Sequence, residues 1–258
     1  MKQLPRILCI GGHDPTGGAG IQADIETVTA LGGKALALIT ALTEQDTRDI
    51  KAVTPTPANV LARQADTLLA DIRVDAIKIG LIGGAAQVAV LADLLRDFTG
   101  PVVLDPVLAA GGGFDLDTGG LCTEMQNNLL PLATLMTPNR AEARRLADRD
   151  DPMDAAQLLL DAGARAVLLT GADEAQGDRV ENLLVTPGRA ARAFSWPRLS
   201  GRFHGSGCTL ASACATRLAL GDPLASAVQA AQEFTHEALT AALRVGHGQW
   251  LPDRRTAR

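Results

Sequence analysis

The sequence predicts an α/β fold: a mainly parallel sheet covered by helices on both faces. Three observations predict it. Strand-like apolar runs alternate with helix-like stretches almost throughout the 258 residues. Several of these runs are continuously apolar, which marks strands covered on both sides. No repeat, low-complexity tract or long linker divides the chain, so residues 1–258 are expected to form a single domain.

The strands are expected at Arg6–Gly11, Ala35–Leu42, Ala76–Gly80, Pro101–Asp105, Thr134–Met136, Ala166–Leu169 and Asn182–Val185. The helices are expected at Gly20–Leu31, Pro57–Asp71, Ala85–Phe98, Gly119–Leu130, Arg140–Ala147, Asp154–Ala162, Cys208–Leu220 and Pro223–Val245. In the first helix Ile21, Ile25 and Val28 define a buried face, and Asp24 leans toward it. A buried carboxylate needs a partner, either a ligand group or a structural donor. Leu210, Cys214 and Leu218 recur at i, i+4 and i+8, on one face of the seventh helix. The last helix has Asp222 as a candidate N-cap, Pro223 at its first position, an apolar stripe of Leu224, Val228 and Ala231, and Gly246 as a stop.

Composition narrows the function classes. Hydrophobic residues make up 47% and charged residues 21%, and the formal net charge is −5. No basic cluster or aromatic–basic alternation is present, which disfavours nucleic acid as a partner. The longest clear apolar run, Ala35–Leu42, is far short of a membrane span, and the first residues lack the apolar stretch of a signal peptide. Cys9, Cys122, Cys208 and Cys214 show no C-x-x-C spacing, which reads as reduced thiols in a cytoplasmic protein.

Two glycine clusters carry the chemical signal. His204-Gly205-Ser206-Gly207-Cys208-Thr209-Leu210 leads straight into a helix. Backbone N–H groups of a first turn, together with the helix dipole, favour an anion such as phosphate. The same environment can lower the pKa of a thiol, here Cys208. Gly11-Gly12-His13-Asp14-Pro15-Thr16-Gly17-Gly18-Ala19-Gly20 lies between the first strand and first helix, at the sheet edge where ligands bind. It is neither a G-x-G-x-x-G fingerprint nor a P-loop. A flexible turn is its simpler explanation.

Five further residues are candidates. Gln45 follows the Ala35–Leu42 strand, and its amide offers both a donor and an acceptor. Asp105 closes the Pro101–Asp105 strand, either toward a metal or as the cap of a turn. Asn139 and Glu142 form an N-x-x-E pair that fits a capping box or indirect positioning of Mg2+ and phosphate. Lys78, inside a short apolar strand, suits a salt-bridged core lysine.

Taken together, these segments resemble the hydroxymethylpyrimidine and phosphomethylpyrimidine kinases of thiamine biosynthesis, within the ribokinase-like fold. The resemblance covers Gly11–Ile25, Ile39–Leu42 with Gln45–Arg48, Ile77–Gly80, Val103–Val107, Thr137–Asn139 with Glu142, and His204–Leu210. It implies a three-layer α/β/α sandwich, ATP and Mg2+ as cofactors, a homodimer, and phosphoryl transfer to a hydroxymethyl group or an existing phosphate. It places Asp24 and Gln45 on the pyrimidine, with Gly12 and Ala19 beside them. Gly205, Ser206 and Gly207 form the anion hole, and Cys208 stands where most sugar kinases of this fold carry an aspartate base. Asn139, Glu142 and Thr170 belong to the nucleotide side, and Asp105 and Glu142 to Mg2+, directly or through water.

The chain departs from the family pattern in carrying His13, no lysine in Leu108–Gly113, and Thr170-Gly171-Ala172-Asp173 where a lysine-containing stretch is usual. Two alternatives accompany this reading. One is a pyridoxal kinase, which shares the fold and a hydroxymethyl acceptor. The other is a non-catalytic pyrimidine-binding protein, motivated by the missing lysines. The glycine-rich stretch Gly111–Gly120 has a composition that allows closure over substrate.

Overall fold

Successive side chains of a strand point to opposite faces, and β1 (Arg6–His13) uses both. Ile7 and Cys9 enter one core and Leu8 and Ile10 the other, all four without solvent exposure. The computed structural model describes residues 4–110, 114–117, 120–172, 174 and 177–255. Half of the glycine-rich stretch whose composition allows closure (residues 111–113, 118 and 119) lies outside the described residues, as does Asp173.

The strands that follow are β2 (Lys34–Gln45), β3 (Ile50–Pro55), β4 (Ala76–Ile79), β5 (Val102–Leu104), β6 (Ala109–Ala110), β7 (Phe114–Asp115), β8 (Leu135–Met136), β9 (Val167–Leu169), β10 (Arg179–Val185) and β11 (Arg192–Pro197). Among the described residues nine of them form one sheet in the order β11-β10-β9-β8-β5-β4-β1-β2-β3. The run from β9 to β2 is parallel, whereas β3, β10 and β11 are antiparallel to their neighbours. β6 and β7 pair separately.

The helices are α1 (Gly20–Ala30), α2 (Ala58–Asp71), α3 (Ala85–Arg96), α4 (Leu121–Asn128), α5 (Arg140–Ala147), α6 (Pro152–Asp161), α7 (Ser206–Ala219) and α8 (Leu224–Thr240). α1, α7 and α8 send Val28, Cys214 and Val228 into one core, while α2 to α6 send Leu61, Leu91, Met125, Leu146 and Leu159 into the other. The result is the three-layer α/β/α sandwich. No helix among the described residues is long and apolar enough to cross a membrane. All four cysteines are free.

Several sequence expectations need correction. β3 and β11 were not expected, because they are short, largely exposed edge strands without an apolar run. Ile25 is 41% exposed. The buried stripe of α1 runs through Ile21, Asp24 and Val28 instead, because Asp24 has an interior partner. Asp222 pairs with Arg217 at 2.6 Å and leaves the N-cap of α8 to Pro223. α8 stops at Thr240, short of the expected Val245. Beyond it the backbone of Leu243 exchanges hydrogen bonds of 2.8 and 2.9 Å with Leu251, so the chain folds back.

The partner of Asp24 is Lys78. On β4, Ile77 and Ile79 face the α2–α6 core, so the pleat turns Lys78 to the α1 and α7 side. Its Nζ lies 2.9 and 3.0 Å from the two oxygens of Asp24, and Ser212 Oγ of α7 donates to the same carboxylate at 2.7 Å. The side chains of Lys78 and Asp24 are 1% and 0% exposed. Desolvation favours the neutral amine, but Asp24, then Cys208 and Asp105, outweigh it and hold the Lys78 pKa above the ordinary lysine value. Breaking such a pair strands a buried charge, at about 3–5 kcal/mol. Lys78→Met is therefore expected to lose stability of that order in urea unfolding, and the double variant Lys78→Met with Asp24→Leu to lose less than the single.

Candidate active site

The parallel strands end along one edge of the sheet, and their loops build the site there. After β1 the chain turns around Asp14, which is buried. Its Oδ1 accepts from Thr16 N at 2.8 Å, and its Oδ2 accepts from Thr16 Oγ1 at 2.9 Å and Ala19 N at 2.8 Å. His204 Nε2–H donates to the same Oδ2 at 2.9 Å and so joins the first glycine loop to the second. Burial raises the Asp14 pKa, but these hydrogen bonds outweigh it and bring the pKa down from 3.8 to about 2. A carboxylate depressed in this way stabilises the fold above its unfolded pKa, and that contribution fades as pH falls from near 3.8 through 2.

The two loops meet backbone to backbone. Gly205 has φ +88°, and a Cβ on it would lie 1.8 Å from the Gly18 carbonyl oxygen. Gly20 has φ +58°, and a Cβ there would lie 2.2 Å from Gly12 O. No side chain is tolerated at either point.

Gly205 is the N-cap of α7, and no side chain caps the helix. The N–H groups of Ser206, Gly207 and Cys208 open the helix, where intrahelical acceptors are missing. The three residues line a cavity of about 780 Å³. Ala19, Asp105, Asn139, Glu142, Thr170, Gly205, Ser206, Gly207 and Cys208 all line it, so residues far apart in sequence are brought together there. Gly12, Asp24 and Gln45 do not line it. Asp24 stands behind the site with its carboxylate committed to Lys78 and Ser212, so the expectation that it grips a ligand gives way to a structural role. Gln45 is half-buried at the end of β2, beside the β2–β3 turn. Gly12 is buried at the β1 irregularity against Leu81.

Asn139 and Glu142 form a complete capping box at the start of α5, with bonds of 2.8 and 2.9 Å. Thr170 N–H donates to Pro138 O at 2.9 Å, which holds the ends of β8 and β9 together at the cavity. Asp105 Oδ1 accepts from Thr137 Oγ1 at 3.2 Å, and a Cβ on Gly207 would lie 3.8 and 4.0 Å from the two Asp105 oxygens. Burial raises the Asp105 pKa against the pull of Lys78. Cys208 departs from expectation. Its thiol is pushed up to about 11, chiefly by desolvation; Lys78 opposes this, whereas Asp24 and Asp105 add to it. The helix start does not draw out a thiolate, because partial burial and two carboxylates act against one.

Other cavity residues were not singled out from the sequence. Asn182 Oδ1 accepts from Gly171 N at 2.9 Å, and its Nδ2 donates to Gln232 Oε1 at 2.8 Å. Trp196 Nε1 donates to the same Gln232 oxygen at 3.0 Å. The Trp196 and His236 rings lie 5.4 Å apart between centroids. Gln232, four residues after Val228 on an otherwise apolar face, was a visible signal. Trp196 lies on the overlooked strand β11 and gave none.

The phosphomethylpyrimidine kinase family model matches residues 14–253. The chain belongs to this family. It is 41% identical over 249 residues to the thiamine biosynthesis bifunctional protein ThiED of Geobacter sulfurreducens, with 94% of this chain and 50% of that protein covered. It therefore spans half the length of that relative. It is 38% identical to the hydroxymethylpyrimidine/phosphomethylpyrimidine kinase of Rhizobium meliloti, covering 94% of this chain and 93% of the relative. Among solved structures, the pyridoxal kinase of Staphylococcus aureus in complex with AMP-PCP and pyridoxal superposes with a TM-score of 0.89 at 29% identity, over 98% of this chain and 94% of that one.

Within this phosphomethylpyrimidine kinase family member, Cys208 is expected to be a neutral thiol at physiological pH. Its alkylation by iodoacetamide, followed by mass spectrometry, should be slow at pH 8 and rise toward pH 11, near the pKa given by its surroundings.

Proposed function

We propose that this protein transfers the γ-phosphoryl group of ATP to hydroxymethylpyrimidine, to its monophosphate, or to both. The observation that carries this reading is the uncapped first turn of α7, which opens into the cavity with Cys208 inside it and Asp105 close by. Phosphoryl transfer passes through a loose transition state and depends mostly on positioning and charge neutralisation. The N–H groups of Ser206, Gly207 and Cys208 are placed to meet the negative charge on the transferred group. Arg198 and Arg202 also line the cavity and are the cationic side chains this chain offers in place of the lysines absent from residues 108–113 and 170–173. Val180, Trp196 and Leu239 form an apolar stretch of the cavity suited to the adenine base.

As a neutral thiol, Cys208 acts as a hydrogen-bond partner that aligns the attacking hydroxymethyl oxygen. A strong base is unnecessary, because the acceptor proton leaves late in such a transfer. The P–O bond to the acceptor forms as the bond to the ADP oxygen breaks, the hydroxyl proton passes to a phosphoryl oxygen and on to solvent, and no phosphorylated cysteine intervenes. Among the described residues no three His, Cys, Asp or Glu side chains converge as a metal site. Asp105 and Glu142 on the cavity wall nevertheless suit Mg2+, an ion that usually keeps several waters and takes only one or two carboxylates alongside the nucleotide phosphates. When bound, Mg2+ would neutralise charge on the phosphates.

The pyridoxal kinase superposition supports a second reading with pyridoxal as acceptor. The identities of 38% and 41% to relatives named for pyrimidine and thiamine biosynthesis favour the pyrimidine. A coupled ADP-release assay should show kcat/KM for hydroxymethylpyrimidine or its monophosphate well above that for pyridoxal. No turnover of either pyrimidine by folded protein with Mg2+ would sink the proposal. Cys208→Ala is expected to lower kcat by roughly 10²-fold while leaving pyrimidine binding by calorimetry largely intact. Arg202→Ala is expected to raise the KM for ATP more than the KM for the pyrimidine.

A further inference from the structure

Residues 241–255 received no functional role from the sequence, yet they touch the β2–β3 turn, both glycine loops, α1 and α7. Gln249 N–H donates to Thr47 O at 2.7 Å, and Gly248 N–H to Thr47 Oγ1 at 3.0 Å, in the turn just beyond Gln45. Trp250 bonds through its backbone to Arg202 O at 2.8 Å and to His204 N at 2.9 Å. Arg254 then turns inward. It is 2% exposed, which requires a guanidinium to be fully partnered.

Its partners are specific. Nη2 donates to Gly18 O at 2.5 Å, Nη1 to Glu26 Oε2 at 2.9 Å, and Nε to Thr209 Oγ1 at 2.9 Å. Three directions are thus filled: the first glycine loop, α1 and the first turn of α7. Thr209 Oγ1 passes the contact on by donating to Gly205 O at 2.7 Å. The Gly205 carbonyl shares one rigid peptide plane with the N–H of Ser206. A chain of contacts therefore runs from Arg254 through Thr209 to the first N–H donor of α7, on a residue that lines the cavity.

We infer that Arg254 is a positioning residue for phosphoryl transfer, one that clamps the Gly17–Gly18 turn against the start of α7 and orients the Ser206 N–H. The inference rests on the kinase reading above. The planar fork suits this task, whereas a lysine ammonium is a single point charge and cannot span the three directions. Arg254 touches no part of the cavity lining except through Gly205 and its neighbours, so its loss should impair the chemical step more than ground-state binding.

The test compares the full chain with Arg254→Ala, Arg254→Lys and Thr209→Val. In the ADP-release assay Arg254→Ala is expected to lose kcat by about 10²-fold, the size that an error of about 1 Å in positioning produces. Both KM values should move less than roughly threefold, the mark of an interaction used mainly in the transition state. Guanidinium at millimolar concentration should restore part of the lost rate, and Arg254→Lys should not. Thr209→Val, which keeps side-chain shape, should lose kcat about tenfold without a matching drop in Tm, and it decides the matter if Arg254→Ala fails to fold. Hydrogen exchange followed by mass spectrometry should show faster exchange at residues 17–19 and 206–209 together in the Arg254→Ala protein. Unchanged kcat in folded Arg254→Ala or in Thr209→Val overturns the inference, as does a rate loss that guanidinium leaves untouched and that only tracks Tm. Absence of turnover in the unmodified protein overturns the kinase reading instead.

Discussion

One ammonium group organises the substrate edge of this protein. Lys78 projects from the middle of the sheet, and its pairing with Asp24 of α1, itself bonded to Ser212 of α7, ties three elements at one point. Both α1 and α7 begin with a glycine loop, so fixing their bodies fixes the loops. The contact between loops is close enough that only glycine fits at Gly205. Asp14 with His204 adds a second tie between the same two glycine loops. A ligand site assembled from residues nearly two hundred positions apart thus depends on one buried ion pair and one backbone contact.

That anchor also sets the chemistry. Lys78 lies among Asp24, Asp105 and Cys208, a cluster with one cation and two carboxylates. The cation alone would draw out a thiolate at Cys208. The carboxylates and desolvation prevail, and the cysteine keeps its proton. For an acceptor that must approach an anionic phosphoryl group this is the favourable outcome, because a thiolate in the same place would repel it. In the proposed transfer, neutralising charge would be left to the N–H groups of α7, the cavity arginines and a bound Mg2+.

The legible parts of this structure were those where burial leaves a one-dimensional trace. The interior strands, such as β1 through its Ile7–Ile10 stretch and β5 (Val102–Leu104), appear as unbroken apolar runs because both their faces are covered. The start of α7 was visible because glycines and an amphipathic stripe coincide there. β3 and β11 left no such trace, since an edge strand needs only one covered side. Asp24 was recognisable as buried, but its partner was not, because nothing local links residue 24 to residue 78. The same holds for Arg254, whose partners lie at Gly18, Glu26 and Thr209. Charge partnership at long range is a property of packing, and the thiol pKa of Cys208 follows from it.

The most direct measurement is a crystal structure with hydroxymethylpyrimidine, Mg2+ and a non-hydrolysable ATP analogue. The expected result places the γ-phosphate within hydrogen-bond distance of the Ser206, Gly207 and Cys208 N–H groups, with the hydroxymethyl oxygen beside Cys208 Sγ and in line with the bond to be broken. A pyrimidine or triphosphate bound away from the start of α7 would contradict the account.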